Sequence, residues 1–229
     1  MTALDGLRRR WRTNGIPGLL DRGWEMYWPL DLDAMPPIPR SLDGTLSWLL
    51  EASSHDRSLE RSSDDATQRD ANAVELRAIA PSAPLSTVFF RFVEDPEPRR
   101  HVRSATACYL DLGQFPVETS DGGTLIHFLS DQQWVFHWLL YVGSDGTESV
   151  VGSPNPLGFD DGEGLSRRFL DPASERKFLD VCSDSFEEFL YRYWAENELF
   201  FRLAVDASAL EDLPIELREY ANGYPRDGG

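Results

Sequence analysis

Four histidines, His55, His101, His127 and His137, are the side chains of this 229-residue chain whose ordinary titration falls near neutral pH. His127 and His137 stand on two neighbouring apolar runs, and pairing of those runs as strands would let the rings face each other. With Asp131 in the intervening turn they could form a two-histidine, one-carboxylate metal site. With Ser130 they could form a hydrolytic Ser-His-Asp set. Neither possibility has a supporting signature: no G-x-S-x-G elbow surrounds Ser130, and neither Cys108 nor Cys182 lies in a nucleophile motif. Gly122-Gly123 and the Gly-Glu-Gly at 162–164 match no phosphate-cradling loop. Histidines in a sheet are ordinarily satisfied by hydrogen bonds, and His55, in a polar stretch, is expected in solvent. Lys177 is the only lysine, which leaves little scope for Schiff-base chemistry. No metal and no cofactor is expected.

Carboxylates are the more abundant resource. There are 39 acidic against 22 basic residues, a formal charge of −17. That sign opposes nucleic-acid binding, whose affinity comes largely from neutralising phosphates, and it suits electrostatic steering of a basic protein partner. Asp160, Asp161 and Glu163 cluster in a Gly-, Pro- and Asp-rich loop over residues 152–168. Glu187 and Glu188 open a helix. Carboxylates do acid–base work only where burial separates their pKa values, so these five are read as a solvated, partner-facing surface, with nearby aromatics as its apolar anchor.

The elements that would position these groups are strands and one long helix. Residues 123–151 hold two aromatic-rich runs and a shorter Val-tipped one, cut by turns at 130–133 and 143–146, the pattern of antiparallel hairpins. Alternation places Trp134, Phe136, Trp138, Leu140 and Val142 on one face and Val135, His137, Leu139 and Tyr141 on the other. Both faces are apolar, so a central strand covered on both sides is predicted. Over residues 185–203, Ser185 and Glu188 make a capping box. Phe186, Phe189, Leu190, Tyr193 and Trp194 form an apolar stripe, and Glu188–Arg192 and Glu198–Arg202 are favourable i,i+4 pairs. Asn197 interrupts that stripe and is expected to bond a neighbouring backbone group. Leu85, Val88, Phe89 and Phe92 mark one face of an earlier helix, stopped by Asp95-Pro96. A short strand is expected over 107–112 and a last helix from about Pro214.

Residues 1–52 are dense in Trp and Pro and are read as an N-terminal appendage, with a short helix over 41–50 weakened by Gly44. Residues 53–73 contain one sizeable apolar side chain, Leu59, and are read as a flexible linker or loop. Residues 74–229 then form the main domain. No run approaches the length of a membrane span, no apolar segment follows the N-terminal arginines as a secretory signal would require, and two distant cysteines suggest reduced thiols. A cytoplasmic home, away from membranes, is expected.

The meander and helix together resemble the SUKH superfamily, which unites a fungal cell-wall regulator with many bacterial immunity proteins. The matching residues are Pro84, Leu85, Phe89 and Phe92; the strand end at Ser130-Asp131-Gln132-Gln133; the aromatic strand from Trp134 to Tyr141; and Ser149-Val150-Val151. Ser185-Phe186-Glu187-Glu188-Phe189-Leu190 and Trp194-Ala195-Glu196-Asn197-Glu198 complete the set. The resemblance spans about residues 84–203; residues 1–73 match nothing in it, and an entry helix with Asn-Gly is not visible. It implies an α+β fold in which a bent antiparallel sheet packs against helices. It also implies non-enzymatic work, binding and neutralising a toxin, often a nuclease, and the acidic charge of this chain would steer a basic one to it. A generic regulatory or scaffold module is the alternative reading, and a small hydrolase or metal enzyme built on His127, His137 and Asp131 is a third.

Overall fold

A computed structural model describes residues 4–21, 26–55, 58–59, 70, 73–74, 76–78, 85–160, 169–172 and 174–225. The meander is its centre. β5 (Thr124–Ser130), β6 (His137–Val142) and β7 (Glu148–Ser153) pair antiparallel, with Ile126 opposite Leu140 and Leu140 opposite Val150. Every residue of β6 is buried, the outcome for a strand apolar on both faces with a neighbour on each side.

Strands with fainter patterning extend the sheet both ways. β9 (Asp180–Ser183) pairs antiparallel with β7; β1 (Arg8–Thr13) lies parallel to β9, and β2 (Trp28–Asp31) borders β1. On the other side β3 (Tyr109–Leu110) and β4 (Val117–Thr119) pair with β5, and β8 (Phe169–Leu170) lies parallel to β4. The fold is α+β. Its sheet is mixed where an antiparallel one is expected, because the two parallel pairings join strands distant in sequence.

The α-helices described from end to end are α1 (Ser47–Leu50), α2 (Thr87–Glu94), α3 (Pro96–Arg100), α4 (Phe186–Phe200) and α5 (Ile215–Gly223). α4 packs on the sheet face bearing Phe128 and Trp138: Phe186 meets Phe128 edge-on at 5.3 Å, and Phe189 lies 6.1 Å from Trp138. α2 adds Phe89, 5.1 Å from Phe186. Behind α4, Trp48 of α1 lies 5.1 Å from Tyr191, and Tyr220 of α5 lies 6.2 Å from it. Wrapped in this way, all of α4 except Glu188 and Phe200 is buried. The Ser185 hydroxyl accepts from the Glu188 N–H at 3.1 Å, as the cap predicts, while the Glu188 carboxylate accepts from Arg192 and the Phe186 N–H donates to Glu148 of β7 at 2.8 Å. Asn197 accepts from the Ala105 N–H at 2.6 Å and donates to the Tyr193 carbonyl at 2.8 Å. Past Phe200 the helix widens into a π-helical turn, Phe201–Val205. The opposite sheet face has its own core, where Leu139, Tyr141, Val151 and Val181 meet Leu7, Phe115, Leu157 and Leu179.

Further expectations change. Residues 1–52 are no appendage: β1 and β2 extend the sheet, and Trp11, Leu20, Trp48 and Leu49 belong to the same buried cluster as Trp138 and Phe189. The physical reason is that β9 and the back of α4 need cover, and this segment supplies it. The helix over 41–50 contracts to α1, since Gly44 (φ 78°) and Leu46 (φ 57°) take left-handed conformations that no right-handed helix accepts. Of the stretch 53–73, residues 56–57, 60–69 and 71–72 lie outside the described residues. Ser53, Ser54 and Asp70 are exposed, but two described residues are held to the body: Leu59 is buried with its N–H on the Val102 carbonyl at 2.9 Å, and His55 sits 3.0 Å from Glu198 rather than in solvent. Among the described residues no helix is long and apolar enough to cross a membrane.

Candidate functional site

A bulge in β5 gathers a buried cluster of polar side chains. In a regular strand His127 and Ser130, three apart, would point to opposite faces. The register with β6 shifts between His127 and Leu129, which resets the alternation. His127 Nε2 then lies 2.8 Å from Ser130 Oγ, and the same oxygen is 2.7 Å from Asp111 Oδ2 and 3.0 Å from His137 Nδ1. The imidazoles, on adjacent strands, face each other with ring centres 5.1 Å apart. His127 Nδ1 lies 3.1 Å from the Leu157 carbonyl, an acceptor, so that nitrogen carries the proton. Burial, with the His137 ring beside it, pushes His127 down to about 3; burial lowers His137 as well.

A serine between two neutral imidazoles and a carboxylate has the components of an activated nucleophile. Its position decides what they can do. Ser130 and His137 are fully buried, and the hollow beside His127, lined by Gly113, Gln114 and Phe115, holds about 10 Å³, room for one water. In this geometry the cluster ties the Asp111 and Leu157 loops to β5 and β6. Asp131 stands apart from it: one oxygen accepts from Tyr27 Oη at 2.6 Å and the other from the Gln133 N–H at 2.8 Å. Among the described residues no group of three or more His, Cys, Asp and Glu side chains is placed to hold a metal ion.

Over the histidines lies an aromatic roof. Phe159 meets His127 edge-on at 4.7 Å, and Trp134 lies 5.6 Å from His137 and 5.2 Å from Phe159. The sequence pattern puts Trp134 and Val135 inside β6, but the strand starts at His137. The Asp131 turn, whose carbonyl accepts the Trp134 N–H at 3.0 Å, leaves Trp134 at φ 58°, outside any strand conformation. As a result Trp134 is 43% exposed and Val135 44%, where burial of Trp134 is expected, and Met26 beyond them is 45% exposed. Trp134 is nevertheless held in place, its indole N–H donating to Tyr109 Oη at 2.6 Å. The Asp131 turn was the one readable sign that the aromatic run begins before its strand.

The five expected surface acids divide. Asp160 is exposed, directly after Phe159, with its N–H on the Gln114 side chain at 3.1 Å. Asp161 and Glu163 lie outside the described residues. Glu187 is not on the surface: it accepts from the Trp48 indole at 3.0 Å and the Gly44 N–H at 2.8 Å, because α1 covers that side of α4. Glu188 is half-buried and pairs with Arg192 at 3.0 Å. The structure therefore brings Asp160 to the Trp134 roof and separates Glu187 and Glu188 from it. Tyr109, Asp111, Met26 and Phe159, which complete the site, carry no signal in the sequence. Comparison with protein-family models, with curated proteins and with solved structures finds no match.

Proposed function

We propose that this protein works by binding another protein through the Trp134 roof, as an immunity factor that neutralises a toxin. The observation that supports it is a tryptophan set at positive φ by the Asp131 turn, its side chain held by a hydroxyl and two rings, yet left open beside exposed Val135. Interfaces take most of their energy from such rigid aromatic anchors, set in an apolar centre with a polar rim. Asp160 lies on that rim, and the overall charge of −17 favours a basic partner and speeds its encounter. The toxin reading rests on the resemblance to the SUKH superfamily carried by β5, β6 and α4; Pro84, one of the residues of that resemblance, lies outside the described residues.

A hydrolase built on Ser130 is the second reading, favoured by the 2.8 Å contact with His127 and disfavoured by the burial of both. Tagged wild type would be used to capture a partner from the native cytoplasm, and variants then compared against that partner. Trp134→Ala should weaken binding at least about 10-fold. Asp160→Lys should slow association and flatten its salt dependence. Ser130→Ala should leave affinity unchanged in folded protein. Loss of function in Ser130→Ala with Trp134→Ala fully active would transfer the case to the enzyme.

A further inference from the structure

Next to the roof, on the far side of Val135, a groove of about 380 Å³ is lined by Arg12, Met26, Tyr27, Val135, Phe136, Pro154, Lys177 and Phe178. We propose that it binds a small aromatic carboxylate, the ring lying among Phe136, Phe178 and Met26 and the carboxylate meeting Lys177.

The charge around the groove carries this assignment. In a chain of net charge −17 the two side chains that carry charge among the described residues lining it, Arg12 and Lys177, are both cationic. Arg12 lies over the Phe136 ring at 5.5 Å, and its donors are committed to Asp180 and to the Tyr27 carbonyl at 3.1 Å. It is a fixed charge with few donors left. Arg8 also pairs with Asp180, at 2.9 Å, so this buried carboxylate offsets only one of two guanidiniums. Arg8 further donates to the Lys177 carbonyl at 2.8 Å, which fixes the backbone beneath the lysine. The Lys177 ammonium sits 4.8 Å from the centre of the Phe178 ring and, among the described residues, pairs with no carboxylate. The groove thus offers a fixed positive field, a three-donor cation with no carboxylate partner among the described residues, and apolar walls that include three aromatic rings. Pockets for small ligands combine such walls with a few polar groups and run from roughly 300 to 1,000 Å³. At the lower end of that range a single ring-bearing molecule fits better than a folded partner. Elsewhere the acidic surface repels a free anion, and cationic groups in a concave site focus it there.

The site does not rest on the partner-binding reading, and its test uses the free full-length chain. N-acetyl-L-phenylalanine and its neutral amide serve as probes in calorimetric titrations at low salt, with methyl NMR signals of Val135 and Met26 as a second readout. The acid should bind saturably at one site and shift both methyl signals. The amide should bind at least about 10-fold more weakly, as should the acid to Lys177→Gln, while Lys177→Arg stays within about 3-fold of wild type. Lys177 is exposed, so these variants should fold, and circular dichroism checks that. Absence of saturable binding, equal affinity for acid and amide, or equal affinity in wild type and Lys177→Gln would each overturn the proposal.

Discussion

Trp11 and Trp48, packed around α4, and Trp134, at the entrance to β6, use the same chemistry to opposite ends. Trp48 donates to Glu187, and Trp11 donates to Glu196 at 2.5 Å; all four residues are buried around α4. Trp134 donates to Tyr109 and keeps much of its ring in solvent. In the first region the indole N–H groups partner carboxylates that α4 carries into the interior, where an unpartnered charge would be costly. In the second the indole hydrogen bond fixes an apolar surface without hiding it. An acid on a helix and an aromatic in a strand-like run are therefore poor guides to exposure. What packs on the far side of the element decides it.

The largest expected effect tests that contrast directly. Trp48→Ala or Trp11→Ala should cost about 3–5 kcal/mol in urea unfolding, from the cavity and the stranded carboxylate together. Trp134→Ala should cost less than about 1 kcal/mol. Equal losses would erase the distinction between a structural and a presented tryptophan.

A second effect of similar origin depends on pH. Burial holds Glu196 at about 7 against an ordinary 4.5, despite hydrogen bonds from Tyr224, Thr13 and Trp11. The folded state therefore binds its proton more tightly than the unfolded chain does. The associated stability is complete below pH 4.5 and is lost as pH rises through about 7, on the order of 3 kcal/mol. Glu196→Gln keeps a side-chain oxygen as acceptor, so its stability should change less over that interval; an unchanged slope would remove Glu196 as the source.

The histidine cluster gives the opposite sign. With His127 held at about 3, its contribution is present above its unfolded value near 6.5 and is lost as pH falls through 3. Its ring signals in NMR should not titrate between pH 5 and 8. A midpoint near 6.5 would mean that water reaches the cluster and would reopen the catalytic reading. The smallest effect is optical: Trp134→Phe should remove an acrylamide-quenchable component of the fluorescence, and Trp48→Phe should not.

Local rules carried a good part of this architecture. Alternation in residues 123–151 determined the meander and the burial of β6. The Ser185 cap determined where α4 starts, and Val88, Phe89 and Phe92 determined the inward face of α2. These are signals between residues a few positions apart, governed by strand and helix periods and by backbone groups that must find partners nearby. Tertiary structure alone decided the rest. Arg8 pairs in register with Asp180, and nothing in either segment announces a partner so far along the chain. The same long-range closure brought Trp48 over Glu187. The bulge after His127 reset the alternation of β5 and gathered His127, Ser130, His137 and Asp111 at one point. Such outcomes depend on which surfaces remain to be covered once the local elements exist, and that is a property of the assembled fold.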